Sequence, residues 1–339
     1  MSDPTPVSVL MPVYQAAATL PAALHSLAQQ SHGNFTCIAV DDGSTDGSRD
    51  ILEQHARDDE RFQVLGIPHA GICTALNTGL QAIRSPAIAR MDADDIARPR
   101  RLERQLERLQ DPSIGLVGCR VAFGGDAARR GGYARYVDWT NGLLTPDAIA
   151  RNRFVESPLP HPSVLFRRSL IEKHGGYREG DFPEDYDCWL RWLEADIRMV
   201  KVDEELLTWN DPPNRLSRVD PRYRPDAFYA HKAGFLARWL KRNNAHHPAV
   251  YIWGSGRTTR RRAEHLRTHG IEFRAYVDID PAKTGKTIGG IPVIAPRELP
   301  PPGAAFVIPY VGTWGARAQT EAWLHARGYL AGLHRISAA

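Results

Sequence analysis

The hydrophobic positions of the first hundred residues alternate between two spacings. VSVLMPV (Val7 to Val13), FTCIAVD, FQVLGI and AIARMD (Ala87 to Asp92) are short apolar runs of strand length. Between them apolar residues recur at helical spacing: Leu20, Ala23, Leu24 and Leu27, then Ile51, Leu52 and His55, then Leu76, Gly79, Leu80 and Ile83. Strands alternating with helices through short Gly- and Asp-containing connections predict an α/β protein, with a mostly parallel sheet covered by helices on both faces. Ligands of such sheets bind beyond the carboxyl ends of the strands. The loops PVYQA, DDGSTDGS and DADD fall at that edge.

Past residue 100, RPRRLERQLERLQ reads as a packing helix with Leu102, Leu106 and Leu109 inward, and IGLVGCRVAF as a strand. The Gly- and Arg-rich stretch from Gly124 to Tyr136 has no period and predicts a mobile loop. EDYDCWLRWLEA restores a helix, with Trp189, Trp192 and Leu193 on one side as core. After the polar joint KRNNAHHP, a strand VYIWG, a helix from about Arg257 to His269 and strands FRAYVD and AAFVIPYV, followed by the helix WGARAQTEAWLHARG, predict a smaller α/β unit. The expected domains are therefore residues 1–245 and 246–339.

Composition narrows the function. A formal charge of +4 over 339 residues is too small and scattered for a dedicated nucleic-acid binder and leaves anionic small molecules as partners. Cys37, Cys73, Cys119 and Cys188 match no zinc spacing and read as reduced core residues, which points to a cytoplasmic protein. No apolar run reaches the length of a membrane span, so any membrane contact is expected to be peripheral, at the inner face.

Three carboxylates, Asp92, Asp94 and Asp95, stand within four residues of a strand end. They repel one another unless a positive charge sits among them, and Mg²⁺ or Mn²⁺ suits such oxygen ligands. The competing reading is a solvated acidic turn in which Asp95 caps the next helix. In VDDGSTDGS, likewise, Asp41 and Asp42 either accept hydrogen bonds from a ligand or belong to a capping turn that Ser44 or Asp46 completes, with Gly43 and Gly47 turning the chain tightly.

The ordered combination of PVY, DDGSTDGS and DADD resembles family 2 glycosyltransferases, over roughly residues 5 to 220. The resemblance implies a GT-A fold and a metal-dependent, inverting transfer of one sugar from a nucleotide-diphosphate sugar, a UDP-sugar by expectation, to a hydroxyl acceptor. The acceptor would be a glycan, a lipid-linked molecule or a small molecule, in surface glycan or polysaccharide biosynthesis. It implies donor contacts from Pro12, Val13 and Tyr14, from Asp41 or Asp42 to the base, from Asn77 in ALNTGL, and from Asp92 and Asp94 to ribose and metal. In FPEDYDCWLRW it implies the catalytic base within the pair Glu184 and Asp185, at Asp185. His161 in PHPSVLFRR matches the acceptor-side strand, or is a structural histidine beside two prolines, and the loop with Arg215 and Arg218 either clamps a diphosphate or is a solvated surface loop. The first loop departs from the family, reading Tyr14, Gln15, Ala16, Ala17 where Asn and Glu commonly follow, so one donor contact is expected to be missing.

The second unit supports an alternative. Gly254 and Gly256 begin a strand-turn-helix like a dinucleotide fingerprint, with Thr259 in place of the third glycine and Asp278 about twenty residues on. It resembles the small Rossmann-like domains attached to sugar-modifying enzymes. An NAD-dependent oxidoreductase or nucleotide-binding protein centred there is the competing class; against it, no hydride-site residues accompany the glycines.

Overall fold

The computed structural model describes residues 5–125, 131–212, 215–313 and 315–339. Two compact units divide the chain: residues 1–149, 158–180 and 184–219, and residues 150–157, 181–183 and 220–339.

The first unit is built on strands β1 (Val7–Val13), β2 (Phe35–Asp42), β3 (Phe62–Ile67), β4 (Ala87–Arg90), β5 (Ile96–Ala97), β6 (Ile114–Phe123), β7 (Leu165–Arg167) and β8 (Arg198–Trp209), in the order β3-β2-β1-β4-β7-β6-β8-β5. The first four are mutually parallel; β7 runs antiparallel to both β4 and β6, and β5 antiparallel to β8. The alternation of β1 explains its burial on both sides. Val7, Val9, Met11 and Val13 join the cluster containing Leu20, Leu24 and Leu27 of the helix Leu20–Ala28. Leu10 faces the helix Ile72–Ala82, where Gly79 lets the backbone approach: a Cβ there would lie 2.2 Å from Leu10 Cδ1. Register aligns the strand ends, pairing Val13 with Asp41 and Leu10 with Arg90. The loops after β1, β2 and β4 therefore leave the sheet at one edge.

Trp189 and Trp192 of the helix Glu184–Glu194 are fully buried, the first against Trp192 and the second against Phe166, which makes them core. On the same helix Arg191 and Asp187 form a buried ion pair at 2.7 Å, and the guanidinium also donates to the carbonyls of His174 and Gly176. The four cysteines are buried, and none forms a disulfide.

The segment Gly124 to Tyr136 differs from expectation. Residues 126–130 lie outside the described residues, but Gly131–Asn141 is a helix that buries Val137 and Thr140. Tyr133, Tyr136 and Trp139 on it pack as aromatics, an apolar spacing that the surrounding glycines and arginines obscure.

The second unit holds β9 (Ala249–Trp253), β10 (Glu272–Val277), β11 (Thr287–Ile288), β12 (Ile291–Ile294) and β13 (Val307–Pro309), ordered β11-β12-β10-β9-β13 and parallel except for the β11–β12 hairpin. The helix Pro225–Asn243, which the expected boundary at 245 assigns to the first domain, groups with this unit. The reason is packing: Trp239 meets Phe306, Tyr229 meets Tyr310, and Arg262 lies over the Tyr229 ring. The polar joint after the helix is thus a turn within the unit. No helix among the described residues is long and apolar enough to cross a membrane.

Asp187→Ala leaves the Arg191 guanidinium buried without its carboxylate, and is expected to lower stability by about 3–5 kcal/mol in urea unfolding.

Candidate functional site

The loops after β1 and β2 are laced together by side chains of the second. Ser44 Oγ accepts from Gln15 N at 3.1 Å, Ser48 Oγ from Ala16 N at 2.8 Å, and Asp46 Oδ2 from Ala17 N at 2.9 Å. Asp46 Oδ1 accepts from Ser48 N at the first residue of the helix Ser48–Asp58, whose N-cap is Gly47. Gly43 and Gly47 both have positive φ, and a Cβ on Gly43 would sit 2.7 Å from His69 N. The sequence therefore closes this loop on itself, as a capping turn does.

Asp41 and Asp42 then separate. Asp42 receives Ala70 N at 2.8 Å and Gly71 N at 3.0 Å, one on each oxygen, with His69 Nδ1 2.9 Å away. Its carboxylate is saturated by the entry to the helix Ile72–Ala82. Among the described residues Asp41 accepts only from Ser44 N at 3.3 Å, and its other oxygen has Arg49 at 3.9 Å. Beside them Tyr14, 49% exposed, stacks on His69 with centroids 4.1 Å apart, while Pro12 and Val13 end β1 beneath it. Asn77 is occupied elsewhere: Nδ2 donates to Tyr177 O at 2.8 Å and Oδ1 accepts from Tyr177 N at 3.0 Å.

After β4 the chain brings one carboxylate oxygen each of Asp92, Asp94 and Asp95 within 4.8 Å of one another. Arg90, buried at the end of β4, pairs with Asp92 at 2.7 Å. Asn210 ties the cluster to the end of β8, donating N–H to Asp95 Oδ1 at 2.8 Å and its amide to Asp94 O at 2.6 Å. Asp95 Oδ2 is buried with no partner among the described residues. Burial and the Asp92 charge push the Asp94 carboxyl up to about 6, and the same causes raise Asp95 well above the carboxylate range. An orphaned buried oxygen, hard oxygen donors and crowded negative charge together fit a divalent cation such as Mg²⁺ or Mn²⁺.

Arg215 sits over the Trp209 ring at 4.3 Å and the Tyr133 ring at 5.1 Å, and donates to the Tyr133 hydroxyl. Its charge acts on two groups at once, lowering Asp94 and Asp95 on one side and Asp185 on the other. Arg90 does the same to Asp94 and Asp185. The charges of Arg90 and Arg215 thus bear both on the acidic end of β4 and on the N-terminus of the helix Glu184–Glu194. There Glu184 is buried and Asp185 half-buried; burial, then the Glu184 charge, push Asp185 up to about 8. Arg218 pairs with buried Asp211, its Nη2 2.6 Å from Oδ1.

His161 is buried, with Nε2 2.8 Å from the Tyr177 hydroxyl and its ring against Trp189. Burial, with the Arg90 charge, holds it neutral well below the usual histidine range. Sequence reasoning missed Arg90, His69, Tyr133, Trp209 and Asn210. For Arg90 a signal existed, since a lone arginine interrupts the apolar run AIARMD.

Residues 8–175 match the family model for glycosyl transferase family 2. Among curated relatives, the uncharacterized glycosyltransferase EpsJ of Bacillus subtilis is 27% identical over 65% of this chain and 64% of its own length. The O-antigen biosynthesis glycosyltransferase WbnJ of Escherichia coli is 26% identical over 60% of this chain and 78% of its own. The chain thus spans just under two thirds of EpsJ. TarS 1–349 of S. aureus, solved with UDP-GlcNAc, superposes with a TM-score of 0.56 at 17% identity, covering 80% of this chain and 74% of that one. The mannosyltransferase PcManGT of Pyrobaculum calidifontis, solved with GDP-Man and Mn²⁺, gives 0.52 at 20% identity over 70% and 63%. These likenesses give the GT-A architecture of the first unit.

The two adjacent aspartates are separable by measurement. Asp42→Ala orphans two backbone N–H groups and is expected to cost about 1–3 kcal/mol in chemical unfolding. Asp41→Ala removes one long hydrogen bond, with an expected cost of about 1 kcal/mol or less.

Proposed function

Since the chain belongs to glycosyl transferase family 2, we propose that it moves a single sugar from a nucleotide-diphosphate sugar, a UDP-sugar by preference, to a hydroxyl of a surface glycan or its precursor, with inversion. The observation that carries this reading is the Asp92, Asp94 and Asp95 cluster at the end of β4, with one carboxylate oxygen of each within 4.8 Å of the others and with Asp95 Oδ2 buried and partnerless among the described residues. The O-antigen relative and the nucleotide-sugar complexes of TarS and PcManGT support the substrate class.

In this reading Asp41 accepts from a base N–H, since its Oδ2 is the less occupied carboxylate oxygen of the pair. Tyr14, on its His69 support, offers an exposed ring face beside it. Asp92 and Asp94, with Asp95, would hold Mg²⁺ or Mn²⁺, which when bound would supply positive charge to the leaving diphosphate. The Arg215 charge acts on the same carboxylates and offers a guanidinium for phosphate oxygens. The acceptor oxygen attacks the anomeric carbon while the bond from that carbon to the diphosphate breaks. The bonding pair leaves with the diphosphate, and the acceptor proton passes to Asp185. One displacement with no covalent enzyme intermediate inverts the configuration. Asp185 must be ionised to accept that proton, and its raised pKa matches a base working near neutral pH. Glu184, buried beside it, raises that affinity for the proton.

Calorimetry tests the donor site: UDP binding is expected to show a Mn²⁺-dependent component that EDTA or Asp94→Ala removes. UDP binding indifferent to both would overturn the metal assignment. Asp185→Asn is expected to keep UDP binding and lower turnover by about 10²–10⁴-fold, and unchanged turnover would remove Asp185 from the reaction. Cation binding also has a pH signature. A carboxyl whose folded pKa is raised takes up its proton more readily in the folded state, so stability without cation falls as pH rises from about 4 through about 6, the Asp94 window. Mn²⁺ is therefore expected to raise Tm more at pH 7.5 than at pH 5, in scans at matched ionic strength.

A further inference from the structure

The second unit carries a cationic groove that the transferase reading leaves unused. Along the helix Arg257–Arg267, Arg257, Arg260, Arg261, Glu264 and Arg267 recur every three or four residues and so share one face. Across from them stand Tyr276 of β10 and Ile288, Gly289 and Ile291 of the β11–β12 hairpin, and the groove between has a volume of about 380 Å³. Four arginines against one glutamate make one wall strongly positive, while Ile288 and Ile291 make the other apolar.

The positive charge is poorly neutralised from within. Arg261 pairs with Asp226 at 3.3 Å and Arg267 with Glu264 at 3.2 Å, both as exposed pairs that a ligand can displace at little cost. Arg260 donates Nε to Ser255 O at 3.0 Å and, like Arg257, has no carboxylate partner among the described residues. The hairpin turn is Gly289-Gly290, with φ of +59° and +80°, and no side chain closes the groove at its tip. A solvated charged helix face would need neither the facing apolar wall nor the concavity.

The Gly254-Ser255-Gly256 turn is a poor place for phosphate in this unit. Asp278, at the end of β10, accepts from Ser255 N at 3.0 Å and from Ser255 Oγ at 2.5 Å, and Lys283 reaches the same oxygen at 3.3 Å. A carboxylate already stands where the turn offers its N–H, so an incoming anion meets negative charge there. One turn into the helix it meets arginines.

We propose that this groove is a second ligand site, taking a nucleotide-sized phosphorylated molecule whose phosphoryl oxygens meet Arg257, Arg260 and Arg261 and whose ring lies against Ile288 and Ile291. Guanidinium forks suit paired phosphate oxygens, and the volume falls within the range of small-molecule sites. The site is independent of the transferase cleft: its residues all belong to the second unit, and it requires no cation.

The test is calorimetric titration of the full chain with ADP, UDP and inorganic pyrophosphate, at low salt and in EDTA to suppress cation-dependent donor binding. At least one nucleotide is expected to bind, about tenfold or more tighter than pyrophosphate, and to bind Asp94→Ala unchanged. Arg257→Glu with Arg260→Glu is expected to weaken it about tenfold or more, and the milder Arg257→Ala with Arg260→Ala about threefold or more, with unchanged melting curves. Arg297→Glu, a charge reversal outside the groove, is expected to change it less than about twofold. No EDTA-resistant binding, or an equal loss in Arg297→Glu, would overturn the site. Equal affinity for pyrophosphate and nucleotide would overturn the ring contact, and loss in Asp94→Ala would return the binding to the transferase cleft.

Discussion

Mutual repulsion among Asp92, Asp94 and Asp95 is the constraint around which the first unit is arranged. At the 4.8 Å limit of their separation, two ionised carboxylates repel by about 3–4 kcal/mol at an effective dielectric of about 20. That exceeds what an exposed ion pair returns, so peripheral lysines or arginines could not hold the cluster together. Compensation has to come from inside. Arg90 supplies it from below, buried on β4 and fixed 2.7 Å from Asp92. Protons supply more, which is the physical content of the raised Asp94 and Asp95 carboxyls. A bound cation would replace those protons, and the buried oxygen of Asp95, partnerless among the described residues, suits a set of donors arranged around such a cation.

The two arginines that act on this space are held differently. Arg90 belongs to a strand, and its carbonyl is itself held by buried Arg101 at 2.6 Å, so its charge is as fixed as the sheet. Arg215 stands after β8 with its guanidinium over the rings of Trp209 and Tyr133, and nearby Arg218 pairs with Asp211. Aromatic faces stabilise a guanidinium without neutralising it. Arg215 therefore keeps its charge available to anions, while Arg90 has part of its charge committed to Asp92. Both act on Asp185, so the residue proposed as base is tuned by the same charges that serve the metal site.

Much of this was legible in the sequence because burial and period agree. β1, β3 and β6 occupy the runs that their apolar residues mark, and the helices of the first hundred residues follow the spacing of their leucines. Legibility failed where a local signal had a tertiary cause. The glycines and arginines before Tyr136 suggest a loop, but aromatic packing onto Trp209 organises a helix there. The helix Pro225–Asn243 precedes a polar joint and so looks like the end of one domain, while its aromatic face belongs to the next. AAFVIPYV reads as a longer strand than the three residues Val307–Pro309, because burial alone does not require pairing. Asn77 shows the same limit at a single residue: its type and place suggested a ligand contact, but its amide meets only backbone of residue 177.

The acidic loop after β2 shows why the residue types in a motif underdetermine their duties. Asp41, Asp42 and Asp46 have the same side chain within six residues, and one strand end positions all of them. Their backbone surroundings divide the work. Asp46 turns its oxygens to Ala17 and Ser48, joining two loops and starting a helix. Asp42 points across the sheet to the start of another helix, where two N–H groups without intrahelical partners saturate it. Because pleating sends neighbouring side chains of a strand to opposite faces, Asp41 cannot join Asp42 at that helix. Among the described residues it is left with one long hydrogen bond and a distant arginine. A carboxylate buried at a sheet edge with so little to accept from is costly unless another donor arrives, and a nucleobase N–H is a donor that the architecture of the cleft can deliver there.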